Sequence, residues 1–264
     1  MKKNKFILPF KLIIISLIIF LAKCFIVGYI WKKSKASDYF KIKEVIIRNS
    51  DTADLSYLTG RNIFSIDLKK ESRYILESYP DYSSINVVKI LPNRLFVDFI
   101  KRNPVALVKL YKYFALDEEG VLFAAPAQPE ELGLPLILGL ETKIFGPKPG
   151  RKYNIKEIVF ALETIKEIKR NQALKNYKIK KIDVTSRANA ILFISLPQQT
   201  SAYSVGQAAI MPEGLLEVRL GADNIEEKVA ILGGIFTQGK FDLGNIKYID
   251  LRFKGPVIKN KDAK

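Results

Sequence analysis

Residues 12–31 read LIIISLIIFLAKCFIVGYIW, and that stretch decides how the rest of the chain can be arranged. Twenty residues at about 1.5 Å each make a helix of roughly 30 Å, the thickness of a bilayer's hydrocarbon core. One charge, Lys23, interrupts it. A lysine in mid-span costs about 2.5–3.5 kcal/mol, whereas Leu, Ile, Phe and Val each return about 0.3–0.6 kcal/mol. Thirteen such residues lie between Leu12 and Ile30, and together they return roughly 4–8 kcal/mol, so insertion wins. Sliding the window toward Phe6 lets Lys11 and Lys23 snorkel to the two interfaces, and Tyr29 and Trp31 suit the headgroup boundary. Lys23 is also a candidate contact for a partner helix, although snorkelling accounts for it.

A cleaved signal peptide and a buried core helix are the competing readings. Cleavage needs small residues soon after the apolar run. The first such triplet, Ser34-Lys35-Ala36, comes late, and Leu21-Ala22-Lys23-Cys24 has lysine where a lipoprotein box needs a small residue. The stretch therefore reads as an uncleaved anchor. Lys2, Lys3, Lys5 and Lys11 precede it and Lys32, Lys33 and Lys35 follow it, so the positive-inside rule gives only a slight preference for a cytoplasmic N-terminus.

The formal net charge is +16. Eight of the 43 basic residues fall in residues 1–35, where there is no acid; the other 35 exceed the 27 acids by eight and are spread out. With no arginine-rich run and no RNA-binding aromatic motif, nucleic acid is not the expected partner, and a mild basic bias suits an anionic partner or lipid surface equally. The chain has no histidine, which removes His-based triads and H-E-x-x-H zinc sites. Its one cysteine, Cys24, lies inside the span, leaving no disulfide, thiol nucleophile or cysteine metal site for the folded part. No catalytic, cofactor-binding or metal residues are expected, and no small-molecule substrate.

Beyond a polar linker, 32–39, the pattern predicts an α+β protein. Residues 40–48 (FKIKEVIIR) form a strand ending at Asn49-Ser50-Asp51. A short helix over 53–58 follows, ended by a left-handed Gly60. Asp67 caps a second helix, 68–79, with Leu68, Ile75, Leu76 and Tyr79 on one face, closed by Pro80. Strands 84–91 and 95–101 flank a Pro92-Asn93 turn. The order β-α-α-β-β is a compact module. After Pro104, strands are expected at 105–110, 113–116 and 121–124, with Asp117-Glu118-Glu119-Gly120 a hairpin turn whose acids face water. An apolar run at 136–138 follows an irregular segment, 126–135. Asn154-x-x-Glu157 and Asn224-x-x-Glu227 have capping-box spacing and open helices. The first carries Ile155, Ile158, Val159, Leu162, Ile165 and Ile168 on one face, and the second Ile225, Val229, Leu232 and Phe236. Strands are expected at 180–184, 191–196, 215–220 and 246–253 (IKYIDLRF), the last ended by Gly255-Pro256 and a lysine-rich tail. Residues 197–212, polar and rich in small residues, read as a mobile loop. Gly60 and Asn62 read as turn residues, and Gly221, Gly233, Gly234 and Gly239 have no phosphate-loop spacing.

Several segments, taken together and in order, resemble the FtsQ/DivIB family of bacterial cell-division proteins. Leu55-x-x-Leu58-x-Gly60-x-Asn62-Ile63-Phe64-Ser65-Ile66-Asp67-Leu68 is similar to the family's polypeptide-transport-associated (POTRA) domain. Tyr79-Pro80, Val87-x-Lys89-x-Leu91-Pro92-x-x-Leu95 and Arg102-x-Pro104-Val105-Ala106 match its strand–turn–strand and domain junction, although Lys101 stands where the family usually has an acid. Ala115-Leu116-Asp117-x-x-Gly120-Val121-Leu122-Phe123 resembles the first hairpin of the family's β-domain. Leu220-Gly221, Glu227-Lys228 and Ile249-Asp250-Leu251-Arg252 extend the match toward the C-terminus, with 197–212 longer than usual.

The resemblance implies a basic cytoplasmic tail (1–11), an anchor (12–31), a linker (32–39), a POTRA-like domain (40–103), an FtsQ-type β-domain (104–257) with a predominantly antiparallel sheet and flanking helices, and a basic tail (258–264). It implies a type II single-pass protein of the cytoplasmic membrane at the division septum, with both folded domains outside. The family is a non-enzymatic scaffold that binds FtsB/DivIC-like and FtsL-like coiled-coil proteins, among other divisome membrane proteins, and links them to septal peptidoglycan synthesis. A POTRA-containing secretion or envelope-assembly component is the alternative, but it normally carries repeated modules or a run of membrane strands. A carbohydrate-acting enzyme would need a supported carboxylate pair, and none stands out.

A terminal strand offers unpaired backbone groups to an incoming strand. In the family the FtsB-like partner adds near the strand matched by 246–253. By that match the candidate partner-binding residues are Tyr248, Asp250, Arg252, Phe253, Lys254 and Gly255. Arg252 would pair a partner carboxylate and Phe253 would serve as apolar anchor; Arg187 lies near a second basic contact.

Overall fold

A computed structural model describes residues 7–35, 37–196, 214–238 and 241–261. The basic segment 1–6, Ala36 of the linker, the polar segment 197–212, Gly239 and the tail residues 262–264 lie outside the described residues.

Helix α1 runs Ile7–Lys35. Pro9 falls in its first turn, where a missing N–H costs nothing. The candidate span within it is Leu12–Lys33, and every side chain along that span is exposed, so the buried-core reading is excluded. The chain divides into two compact units, Met1–Lys101 and Arg102–Lys264.

In the first unit, β1 (Glu44–Arg48), α2 (Leu68–Ser78), β2 (Tyr82–Ile90) and β3 (Arg94–Lys101) build a three-stranded sheet of order β1-β3-β2. β1 is parallel to β3, and β2 and β3 form the expected hairpin. The helix expected over 53–58 is a single 3₁₀ turn, Ser56–Leu58, followed by a second, Ile63–Ser65. Local hydrogen bonds explain the difference: Asp54 Oδ1 accepts from the Ser56 N–H (2.9 Å), Gly60 turns left-handed (φ +81°), and Asn62 Oδ1 accepts from the Phe64 N–H (2.9 Å). Asp67 caps α2 as expected, accepting from the N–H groups of Lys69 and Lys70. Ile75 and one face of the sheet (Tyr82, Ile85, Val87, Leu95, Val97 and Phe99) make the core with Ile42, Leu55, Leu58 and Ile63.

Among the described residues, the second unit holds a nine-stranded sheet. Its strands are β4 (Ala106–Lys109), β5 (Tyr113–Leu116), β6 (Leu122–Ala124), β7 (Leu136–Leu138), β8 (Lys178–Asp183), β9 (Ala190–Ser195), β10 (Leu215–Leu220), β11 (Ile246–Asp250) and β12 (Val257–Asn260). Their order is β12-β11-β10-β9-β8-β7-β4-β5-β6. Most neighbours are antiparallel; β4/β7, β7/β8 and β10/β11 are parallel. Helices α3 (Lys156–Arg170) and α4 (Ile225–Thr237) share one core with residues from β4 to β11, such as Val108, Ile137, Ile182, Leu192, Val218 and Ile249. On α3 the buried face is Ile158, Phe160, Ala161, Thr164, Ile165 and Ile168, while Val159 is exposed, so it is turned from the expected stripe.

Neither capping box forms. Ile155 occupies the α3 cap position without a side-chain bond, and Glu157 receives Lys143 Nζ (3.0 Å) instead. At α4, Asn224 is left-handed (φ 51°), and its amide donates to Glu227 Oε2 (3.2 Å) rather than accepting a helix N–H. The reading of the Asp117–Gly120 acids as solvated is also corrected at Asp117. That residue is 6% exposed; its Oδ1 accepts from the N–H groups of Glu119 and Val121, and its Oδ2 lies 2.6 Å from Arg102 Nη1. Burial demands a partner for the charge, and Arg102 of the junction motif supplies it.

Candidate functional site

The expected final strand, 246–253, stops at Asp250, and it is not the sheet edge. β11 lies between β10, parallel to it, and β12, which returns antiparallel with Ile249 opposite Ile258 and Asp250 opposite Val257. The physical reason is in residues 251–256: Arg252 folds back on Asp250, Gly255-Pro256 turns the chain, and the Val257-Ile258 pair suits a strand. Residues assigned above to a tail therefore form the terminal strand. Tyr248 and Asp250 are interior to the sheet.

The two ends of the sheet differ. Beside β6, the 150–153 backbone adds bonds from the Leu122 N–H to Arg151 O (3.1 Å) and from the Gly150 N–H to Leu122 O (2.7 Å). At the other end β12 closes the strand order among the described residues, and Ile258 packs partly against the core. Residues Val257, Lys259 and Asn260 are exposed.

Registered side chains build a polar ladder on the face away from the core. Glu217 lies beside Tyr248, and Arg219 beside Asp250. Arg219 Nε donates to Glu217 Oε1 (2.7 Å), and its guanidinium sits 3.9 Å from the centre of the Tyr248 ring, a stacked cation–π contact. Asp250, 3% exposed, receives Arg252 Nε and Nη2 (2.9 Å to Oδ1 and 2.6 Å to Oδ2) together with the Arg252 backbone N–H. These bonds from Arg252 hold the Asp250 carboxyl below its ordinary range, against the opposing effect of burial. Arg252 Nη1 also donates to Asn189 Oδ1 (2.6 Å), tying a 3₁₀ turn, Arg187–Asn189, to the cluster.

Arg252, expected to pair a partner carboxylate, is here engaged by the carboxylate of Asp250 in the same chain. Arg187 is not brought into contact with Arg252; its Nε lies 4.0 Å from Glu157 Oε1. Burial works to raise the Glu157 carboxyl, but the Lys143 hydrogen bond and the nearby cations outweigh it and hold it below its ordinary value. Phe253 is 64% exposed, and Lys254 and Gly255 beside it are exposed as well. Chemically, the arrangement offers a strand end, a protruding aromatic ring and a rigid charged ladder. Sequence reasoning missed Asn189, Glu217, Arg219 and β12 itself. For β12 the signal was there: a β-branched doublet directly after Gly-Pro. For Asn189 nothing local marked it.

A family profile described as cell division protein FtsQ/DivIB, C-terminal, matches residues 106–252. A cell division protein FtsQ from Syntrophotalea carbinolica is 30% identical over 235 residues, covering 86% of this chain and 76% of that one. Another, from Geotalea daltonii, is 24% identical over 243 residues, covering 89% and 81%. A third, from Myxococcus fulvus, matches 90 residues at 30% identity, 34% of this chain and 31% of its own.

Proposed function

The chain belongs to the FtsQ/DivIB family of cell-division proteins, and from that premise we propose that it is a non-enzymatic scaffold whose terminal strand β12 receives a strand from an FtsB/DivIC-like partner. It acts in cell division, associated with the membrane through α1 and with other divisome proteins. One observation carries the finer reading: β12 ends the nine-stranded sheet, next to exposed Phe253 and the Asp250–Arg252 clamp. Backbone bonding to the outer side of 257–260 supplies affinity, and Phe253 supplies an apolar anchor for specificity. The clamp orders the backbone of the bend at Arg252, which lowers the ordering cost of presenting Phe253 at binding.

In this scheme Met1 is cytoplasmic and both units lie outside the cytoplasmic membrane at the division septum. The β1-α2-β2-β3 unit is the POTRA domain, residues from 104 onward form the FtsQ-type domain, and FtsL-like protein joins through the coiled-coil partner to link septal peptidoglycan synthesis. A chain without histidine, whose one cysteine is in the candidate span, suits assembly better than catalysis.

Co-purification of the full chain in detergent with the FtsB/DivIC-like and FtsL-like proteins of the same cell is the test. Wild type should retain both, and Phe253→Ala together with Lys259→Pro should lose them. Capture unaffected by both changes would remove the edge-strand reading.

A further inference from the structure

The sheet face of the first unit that turns away from α2 carries an ordered charge pattern. The core side chains of β2 and β3 are Ile85, Val87, Leu95, Val97 and Phe99, so the intervening residues point to the opposite face. Strand register sorts these into three rows. Glu44, Arg94 and Ile90 form one; Ile46, Phe96 and Val88 form the next; Arg48, Asp98 and Asn86 form the third. The middle row is wholly apolar, and Val88 is 50% exposed. Each outer row holds an ion pair, Arg94–Glu44 at 2.9 Å and Arg48–Asp98 at 4.0 Å. The signs run oppositely: acid on β1 and base on β3 in one row, base on β1 and acid on β3 in the other.

We propose that this face recognises a second copy of the chain through a two-fold axis lying along the Ile46–Phe96–Val88 row. Rotation about that row lays each strand over its counterpart and exchanges the outer rows. Glu44 then faces the partner's Arg48, Arg94 faces the partner's Asp98, and the apolar row meets itself. The other in-plane two-fold, along β3, would set Arg94 on the partner's Arg94 and Asp98 on the partner's Asp98, so the charges select one arrangement. Three strands about 4.8 Å apart make a small face, well below the roughly 800 Å² per partner of a stable soluble dimer. Association is therefore weak in solution and becomes effective when copies share a membrane. The span ends at Lys33, and Ile42 is the first buried residue among those described in the unit. A linker of that length reaches about 30 Å at most, which holds the faces in a thin layer and raises their effective concentration.

Full-length chain in liposomes tests this in a Cys24→Ser, Val88→Cys background. A short homobifunctional maleimide is the probe, because facing sheets stand about 10 Å apart. Val88→Cys should cross-link, whereas Glu77→Cys on α2 should not. Arg94→Asp and Asp98→Arg each set like charges opposite one another and should lower cross-linking about tenfold. Differently tagged copies of the two reversed variants, mixed in one membrane, restore both ion pairs and should cross-link to each other at nearly the unreversed level. Misfolding would not be repaired by mixing. A mixture no better than either variant alone, or Val88→Cys no better than Glu77→Cys, overturns the proposal.

Discussion

Arg252 and Asp250 clamp each other across the end of β11, with Nη2 2.6 Å from Oδ2 and Nε 2.9 Å from Oδ1, while the remaining Nη1 reaches Asn189 at 2.6 Å. One guanidinium thereby joins the last interior strand to the turn before β9.

The clamp makes stability depend on acid. The Asp250 carboxyl is held below its ordinary value, chiefly by the Arg252 hydrogen bonds. Its contribution is therefore complete above the unfolded value, about pH 4, and is lost as pH falls through the lower folded value. Asp250→Asn should lower the unfolding midpoint at pH 7 and lose less than wild type between pH 5 and pH 3. Parallel loss in the two proteins would show that the clamp contributes nothing.

Phe253 separates folding from recognition. Because it is 64% exposed, Phe253→Ala should change unfolding free energy by no more than about 0.5 kcal/mol. As an interface anchor it should weaken capture of the FtsB/DivIC-like partner by about 2 kcal/mol, or roughly 30-fold in Kd. A titration with the partner reads this directly.

Strand addition has its own signature. Amide hydrogen exchange in β12, Val257–Asn260, should slow on complex formation at alternate positions, those pointing away from β11. Amides already paired with β11 should change little. Uniform slowing, or none, would argue for contact through side chains alone.

Asp117→Ala should destabilise the second unit more than any surface acid. The Arg102–Asp117 pair is 8% exposed on both sides, and breaking a buried pair costs about 3 kcal/mol or more. That corresponds to roughly 6–12 °C in Tm. Glu118→Ala, in the same turn, should shift it by no more than about 1–2 °C.

Gly139→Ala should cost about 2–3 kcal/mol, since the position has φ +85° and an added Cβ would lie 2.3 Å from the Thr185 backbone nitrogen. Gly60→Ala, at φ +81° with nothing within 4 Å, should cost nearer 1 kcal/mol. Thermal unfolding of the two variants distinguishes contact from backbone strain.

Local chemistry made much of this protein legible without coordinates. The anchor is a matter of length and hydropathy, the Asp67 cap of one side chain and two neighbouring N–H groups, and the strands of residue type and alternation. These depend on interactions within a few residues, and the structure places the Asp67 cap and most of the strands close to where the pattern did, while the first strand begins only at Glu44 and the one expected at 246–253 ends at Asp250. The two capping boxes failed for the converse reason: Glu157 found Lys143, and Asn224 found Glu227, partners that compete with the helix N–H groups. The acids of residues 117–119 looked alike in sequence, yet only Asp117 meets Arg102.

What the sequence by itself determined was therefore an anchored α+β chain, its family and the neighbourhood of its candidate site. Which strand ends the sheet was decided by the tertiary structure. β11 and β12 are separated by a bend whose hydrogen bonds join Arg252 to Asp250 and to Asn189, 63 residues away. An edge is a property of strand order, and strand order is set by long-range backbone pairing that no local pattern encodes.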